Sequence, residues 1–230
     1  MSRTSFRLVL GYVVLAAVDA WLAGSTGRSA RRARLATKPL LMPALAASLA
    51  TDTRAQGSPL RGGTLVAQAC GWGGDVALLR AGTAAFATGT GCFGAGHATY
   101  ARGFWRHRDR RRAPWHTPAA RVAVASLVAG GPLMALGAAR EHRALGPAVL
   151  GYTGLLSAVL ATAGNLGPAL PRSTRIASLA GAALFVASDS LLGLRAFWWH
   201  DAPERTETVV MATYTAAQLL LCEAARTAGG

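Results

Sequence analysis

Charge is scarce in this 230-residue chain, and acidic charge is scarcest. Only 15% of the residues are charged and only 10 are Asp or Glu, against roughly 25% charged in an ordinary soluble domain. The 24 Lys and Arg leave a formal net charge of +14. So basic a balance would suggest nucleic acid or an anionic surface as a partner. Yet 52% of the residues are hydrophobic and the mean hydropathy is +0.31. That combination excludes a soluble nucleic-acid binder and a disordered basic tail. It fits a membrane protein whose charge sits in its loops. Cysteine is also rare. Cys70, Cys92 and Cys222 are odd in number and widely spaced, so they form neither a disulfide framework nor a zinc pattern. They read as small buried apolar residues. There is no G-x-S-x-G, no Walker loop and no paired-Cys motif. Hydrolytic zinc wants three protein ligands, mostly His, and only His97 lies well inside an apolar stretch. No metal and no cofactor is expected.

What the chain does have is apolar runs near the length needed to cross a bilayer, about 20 residues. Eight qualify: 8–24, 39–51, 62–79, 82–104, 119–139, 145–166, 176–199 and 208–225. The second is short and is extended to 36–52. The expected fold is all-α, a polytopic bundle of about eight transmembrane helices forming one integral membrane domain over 1–230. The first run reads as a span and not as a cleaved signal, because Asp19 and Trp21 interrupt its end and no soluble domain follows. The connections are short and hold Arg, Pro or Asp. The clearest is "RGFWRHRDRRR" at 102–112, a basic loop suited to anionic lipid. Trp105, Trp115, Trp198 and Trp199 fall at interfacial positions. With an even number of spans both termini share a side. That side carries 14 Lys and Arg against 10 on the other, which favours cytoplasmic termini. The arginines of 28–34 argue the other way. The expected location is a bacterial cell membrane.

Ionisable groups at membrane depth are costly, and they mark cavities, pathways or paired contacts. Here they are Lys38, Asp75, His97, Asp189 and, among neutral polar groups, Tyr100, Tyr214 and Gln218. Depth follows from a rise of about 1.5 Å per residue, with odd and even helices running oppositely. Lys38, Asp75, Asp189, Tyr214 and Gln218 then share one half of the membrane. This convergence points to one polar cavity. By the same estimate His97 and Tyr100 fall in the other half. Asp19 and Glu223 read as interfacial. Each residue also has a structural reading: the aspartates, Tyr214 and Gln218 as interhelical hydrogen-bonding glue, Lys38 as a snorkelling anchor, His97 as a packed core residue.

The ordered set "KPLLMP" (38–43), "GWGGD" (71–75), F-x3-H-x2-Y (93–100), "GAALFVASDSLL" (181–192) and "TYTAAQ" (213–218) resembles the YhhN family, the lysoplasmalogenases. The resemblance spans 38–218, and the "GAALFVASD" block is its most specific part. It implies an eight-helix membrane hydrolase that cleaves the vinyl ether bond of a lysoplasmalogen, giving a fatty aldehyde and glycerophosphocholine or glycerophosphoethanolamine. The family's two intramembrane aspartates match Asp75 and Asp189, and its H-x2-Y matches His97 and Tyr100. On this reading the aspartates are catalytic. Lys38, Tyr214, Gln218, His97 and Tyr100 bind a lysophospholipid substrate, and the remaining partners are membrane lipids and no nucleic acid. The chemistry suits two carboxyl groups, because alkene protonation makes an oxocarbenium ion much as glycosidases do. The competing readings are a small transporter or channel with Asp75 and Asp189 as an ion or proton relay, and a non-catalytic lipid-binding scaffold.

Overall fold

The computed structural model describes residues 2–229 of the chain. Eight long helical stretches account for most of it: α1 (Arg3–Ala23), α2 (Arg28–Ala50), α3 (Arg61–Ala77), α4 (Thr83–Arg106), α5 (Pro118–Glu141), α6 (Leu145–Ala163), α7 (Arg172–Phe197) and α8 (Arg205–Thr227). No strand occurs among the described residues; the one β-type pairing is an isolated bridge between Arg108 and Leu166. Of these helices α1, α5, α6, α7 and α8 are long and apolar enough to cross a membrane. This is a membrane protein by that measure. The other three fall short for legible reasons. α2 carries Arg28, Arg31, Arg32, Arg34 and Lys38, α3 has 17 residues, and α4 contains five glycines and His97.

Successive helices alternate in direction. At one end Ser2 Oγ donates to the Thr51 carbonyl, Arg61 reaches the Ala50 carbonyl, and Gly229 lies against Arg54 and Ser58, so both termini meet the turn between α2 and α3. At the opposite end Gly24 lies against Thr208, and Gly137 against Phe197 and Trp198. α1 packs on α2 and on α8, α3 on α4, α4 on α6, α5 on α6, and α7 on α8. The outer faces are apolar: Phe6, Leu10, Val14 and Trp21 on α1 and Val122, Val128 and Leu136 on α5 point away from the bundle. Lipid is as apolar as these side chains, so close packing and polar contacts, not burial from water, hold the helices together.

Helix α2 begins at Arg28, eleven residues before the apolar run that marks it in the sequence. Pro39 and Pro43 lie inside it. Proline removes a ladder donor, so Pro43 leaves the Pro39 carbonyl without its helical partner. Trp72 Nε1 of α3 donates to that carbonyl at 3.0 Å. The prolines therefore dock α3 on α2 instead of ending the helix. In α5 the proline device differs. Pro132 has no amide hydrogen, and the preceding turn, Ser126–Gly130, widens to a π-type turn closed by Gly131 N–H donating to the Ser126 carbonyl. Such turns recur at functional sites. The arginine-rich 102–112 stretch is only partly loop, because α4 continues through Arg106. Beyond it, backbone bonds from Asp109 N–H to the Asn165 carbonyl (2.7 Å) and from Gly167 N–H to the His107 carbonyl (2.9 Å) pin the connection to the end of α6.

Candidate functional site

The glycines of "GWGGD" bring Asp75 into the bundle. A side chain on Gly74 would strike the Phe93 ring of α4, and one on Gly71 would press on Gln218 of α8. α3 thus lies close against both neighbours, and Asp75, near its C-terminal end, is almost fully buried. Its two oxygens have different partners. Lys38 Nζ, from the chain's single lysine, lies 3.5 Å from Oδ1. Tyr214 OH donates to Oδ2 at 2.7 Å. Each oxygen of this carboxylate thus has its own polar partner, one an ammonium and the other a phenol hydroxyl.

Asp189, on α7, has its own cluster. Tyr152 OH of α6 donates to Asp189 Oδ2. His97 Nε2 of α4 lies 3.0 Å from Tyr152 OH and 3.7 Å from the same carboxylate oxygen. Tyr152 spends its one proton on Asp189, so its oxygen accepts from His97 Nε2–H. His97 Nδ1 is buried and has no hydrogen-bond partner among the described residues. Phe185 stands between the two clusters, edge-on to both the His97 and Tyr214 rings, with centroids 4.6 and 5.6 Å away.

Both carboxylates open on one cavity of about 350 Å³. Lys38, Asp75, Tyr152, Asp189 and Tyr214 line it, with Arg34 and Glu207, and most of its remaining wall is apolar: Phe86, Phe93, Met134, Leu156, Leu192 and Phe197. Ser126 and Gly130 of the widened α5 turn also face it. The structure thus gathers Lys38, Asp75, Asp189 and Tyr214. The other three sequence-derived site residues are not among the lining residues. His97 stands behind Tyr152. Tyr100 OH donates to Gln218 Oε1 at 3.4 Å in a buried contact.

The depth estimate misplaces His97, and geometry shows why. Counted along the axes, its Cα is about 21 Å from the start of α4, whereas Asp189 is about 12 Å from the end of α7 at the same face of the bundle. Side chains lean towards their own helix N-terminus. α4 and α7 are antiparallel, so these two lean towards each other, and Tyr152 fills the remaining gap. Asp19, near the end of α1, is turned into the bundle. It is fully buried, accepts from Thr37 Oγ1 at 2.6 Å, and lies 3.5 Å from Arg34. Sequence reasoning missed Tyr152, Arg34 and Glu207. Tyr152 lies in an otherwise apolar run with no pattern around it, and Arg34 is one arginine of a cluster that reads as loop. The i, i+4 spacing of Arg34 and Lys38 was the available signal.

Among the described residues, no three His, Cys, Asp or Glu side chains gather in a way that could hold a metal ion. Comparison with curated proteins finds no match, and comparison with solved structures finds none either. A family model does match, over residues 33–225, which takes in every residue of both carboxylate clusters, and by that match the chain belongs to the YhhN family.

Proposed function

We propose that this protein is an eight-span integral membrane hydrolase that cleaves the vinyl ether bond of a lysoplasmalogen by carboxyl acid–base catalysis. The observation that carries the reading is that two carboxylates on different helices, Asp75 and Asp189, face one largely apolar cavity. An apolar wall suits a single hydrocarbon chain, and membership of the YhhN family supports the substrate class.

The environments of the two carboxyls divide the labour. Asp75 faces the Lys38 ammonium and acts as the anion. Among the described residues no Lys or Arg pairs with Asp189, which acts as the acid. It gives its proton to the alkene carbon remote from oxygen. The cation that forms next to the ether oxygen is stabilised by Asp75, which also takes a proton from the water that adds. In the hemiacetal that results, Asp75 returns this proton to the departing glycerol oxygen. The hemiacetal hydroxyl gives its own proton to Asp189. Aldehyde and glycerophospho-alcohol leave, and both carboxyls regain their starting states. Tyr152, backed by His97, fixes the orientation of Asp189. Tyr214 does the same for Asp75.

The bundle end that gathers both termini and the arginines after α4 faces the cytoplasm of a bacterial cell on this reading. Incubation of the purified protein with a 1-alkenyl lysophospholipid, followed by aldehyde detection, tests the proposal. Aldehyde release at a rate proportional to enzyme is expected. No aldehyde from a folded preparation sinks it.

A further inference from the structure

Arg34 is a charged residue of the cavity wall that the chemistry above leaves unused. It lies one turn before Lys38 on α2, so the two side chains share a helix face about 6 Å apart. Its closest carboxylates are Asp19, 3.5 Å from Nη2, and Glu207, 4.0 Å from Nη1. Both separations are too long for good hydrogen bonds. Among the described residues, buried Nε of Arg34 meets no hydrogen-bond partner and buried Nη2 meets only the Asp19 carboxylate, beyond good hydrogen-bond distance. Buried guanidinium donors without acceptors are costly. They form a fork that matches the oxygens of a phosphate. Asp19 Oδ1 accepts from Thr37 while its Oδ2 faces Arg34 Nη2, and Glu207 is approached by Arg195 Nε at 3.5 Å.

Glu207 lines the same cavity and, near the start of α8, remains partly exposed. The charges here balance. Arg34, Lys38 and Arg195 face Asp19, Asp75 and Glu207, three of each sign. A lone anion drawn to Arg34 would meet Glu207. A phosphodiester with a terminal ammonium satisfies both. The span also fits. A glycerol C3 phosphate and a C1 ether oxygen are separated by about 5 Å of chain. One helical turn separates Arg34 from Lys38, which touches Asp75.

We infer that Arg34 and Glu207 form the headgroup subsite of this cavity, Arg34 holding the phosphodiester and Glu207 the terminal ammonium of a zwitterionic lysolipid. The inference rests on the lysolipid reading proposed above.

The test is binding, measured by isothermal titration on the full chain in non-ionic detergent. The probes are a saturated 1-O-alkyl glycerophosphocholine, the matching alkyl glycerophosphate, the matching alkylglycerol, and chain-free glycerophosphocholine. Wild type should bind the alkyl phosphocholine tightest. Arg34→Gln should weaken both alkyl phosphates about thirtyfold and alkylglycerol less than about threefold. Glu207→Gln should weaken the phosphocholine about fivefold and leave the simple phosphate unchanged or tighter. If Arg34→Gln fails to fold with Asp19 unpaired, Arg34→Lys and Glu207→Gln carry the same comparison. Unchanged phosphocholine binding, or equal losses on alkylglycerol, overturns the subsite. Chain-free glycerophosphocholine binding as tightly as the lipid would make this a site for soluble phosphodiesters and overturn its lipid assignment. Saturated ethers bind without reacting. Absence of aldehyde from the vinyl ether would therefore defeat the hydrolase reading and leave this binding result standing.

Discussion

At the residue scale, the two aspartates sit in unlike surroundings, and this makes their replacement informative. Asp75→Asn keeps the shape but removes the anion facing Lys38, and Asp189→Asn removes a transferable proton. Each should lower aldehyde release by a factor of about 10²–10⁴, with wild-type elution on size exclusion. Near-normal turnover in either would remove that residue from the proposed chemistry. Tyr152→Phe should act more gently. It deletes the hydroxyl between His97 and Asp189 but keeps the ring. A drop in kcat of about tenfold with little change in KM is expected, since orientation of the acid matters most in the transition state. A pure KM effect would instead mark Tyr152 as a substrate contact. Residue types told part of this in advance. A carboxylate in an apolar run stands out, so Asp75 and Asp189 were legible. A tyrosine is ordinary near membrane interfaces, so Tyr152 was not. Arg34 was hidden by its neighbours Arg28, Arg31 and Arg32, because one-dimensional counting cannot separate an arginine pointing into a cavity from three that do not.

At the element scale, seven of the eight helices fall within a few residues of their apolar runs, since a long apolar stretch is the strongest sequence signal for a helix. The failure was α2. Its first half carries five Arg and Lys, which shorten the apolar run, and Trp72 of a different helix supplies the donor missing at Pro39. Such a tertiary compensation has no local signature. The turn after α2 shows another element-level device. Asp52 is fully buried at the junction of α1, α2 and α8. Ser5 Oγ donates to it at 3.3 Å, Arg54 at 3.0 Å, and Arg226 Nε lies 3.2 Å away. Burial alone pushes the Asp52 carboxyl up, but hydrogen bonds and the charge of Arg54, with Arg226, outweigh it and hold it below the usual carboxylate range. A depressed carboxyl stabilises the fold above its unfolded value, about 3.9, and that stability is lost as pH falls through the folded value. Asp52→Asn should therefore cost at least about 2 kcal/mol at neutral pH, because Arg226 loses a buried partner. Thermal unfolding in detergent should show the gap to wild type narrowing as pH drops below about 4. A gap independent of pH would mean that the lost contact is steric and not ionic.

At the scale of the whole molecule, the arrangement of the bundle limits which bond can be broken. The cavity wall is built from helix interiors, whose backbone N–H groups are spent on their own ladders. An ester would need donors aimed at a developing oxyanion. Here the Tyr152 and Tyr214 hydroxyls already donate to Asp189 and Asp75, and Ser188 Oγ donates to the Val210 carbonyl at 3.0 Å. Hydroxyls so engaged give an oxyanion nothing and leave Ser188 a poor nucleophile. Alkene protonation makes a cation instead, which is the charge that two carboxyls can stabilise. Three lysolipids sharing headgroup and chain length, but joined by vinyl ether, saturated ether or ester, separate these demands. The vinyl ether should yield aldehyde. The saturated ether should compete for binding without reacting, because it has no alkene to protonate. The ester should release fatty acid at least about a hundredfold more slowly, the loss expected where a single oxyanion donor is missing. Parallel detection of aldehyde and fatty acid checks all three. Fatty acid from the ester at the rate of aldehyde from the vinyl ether would overturn the cationic route.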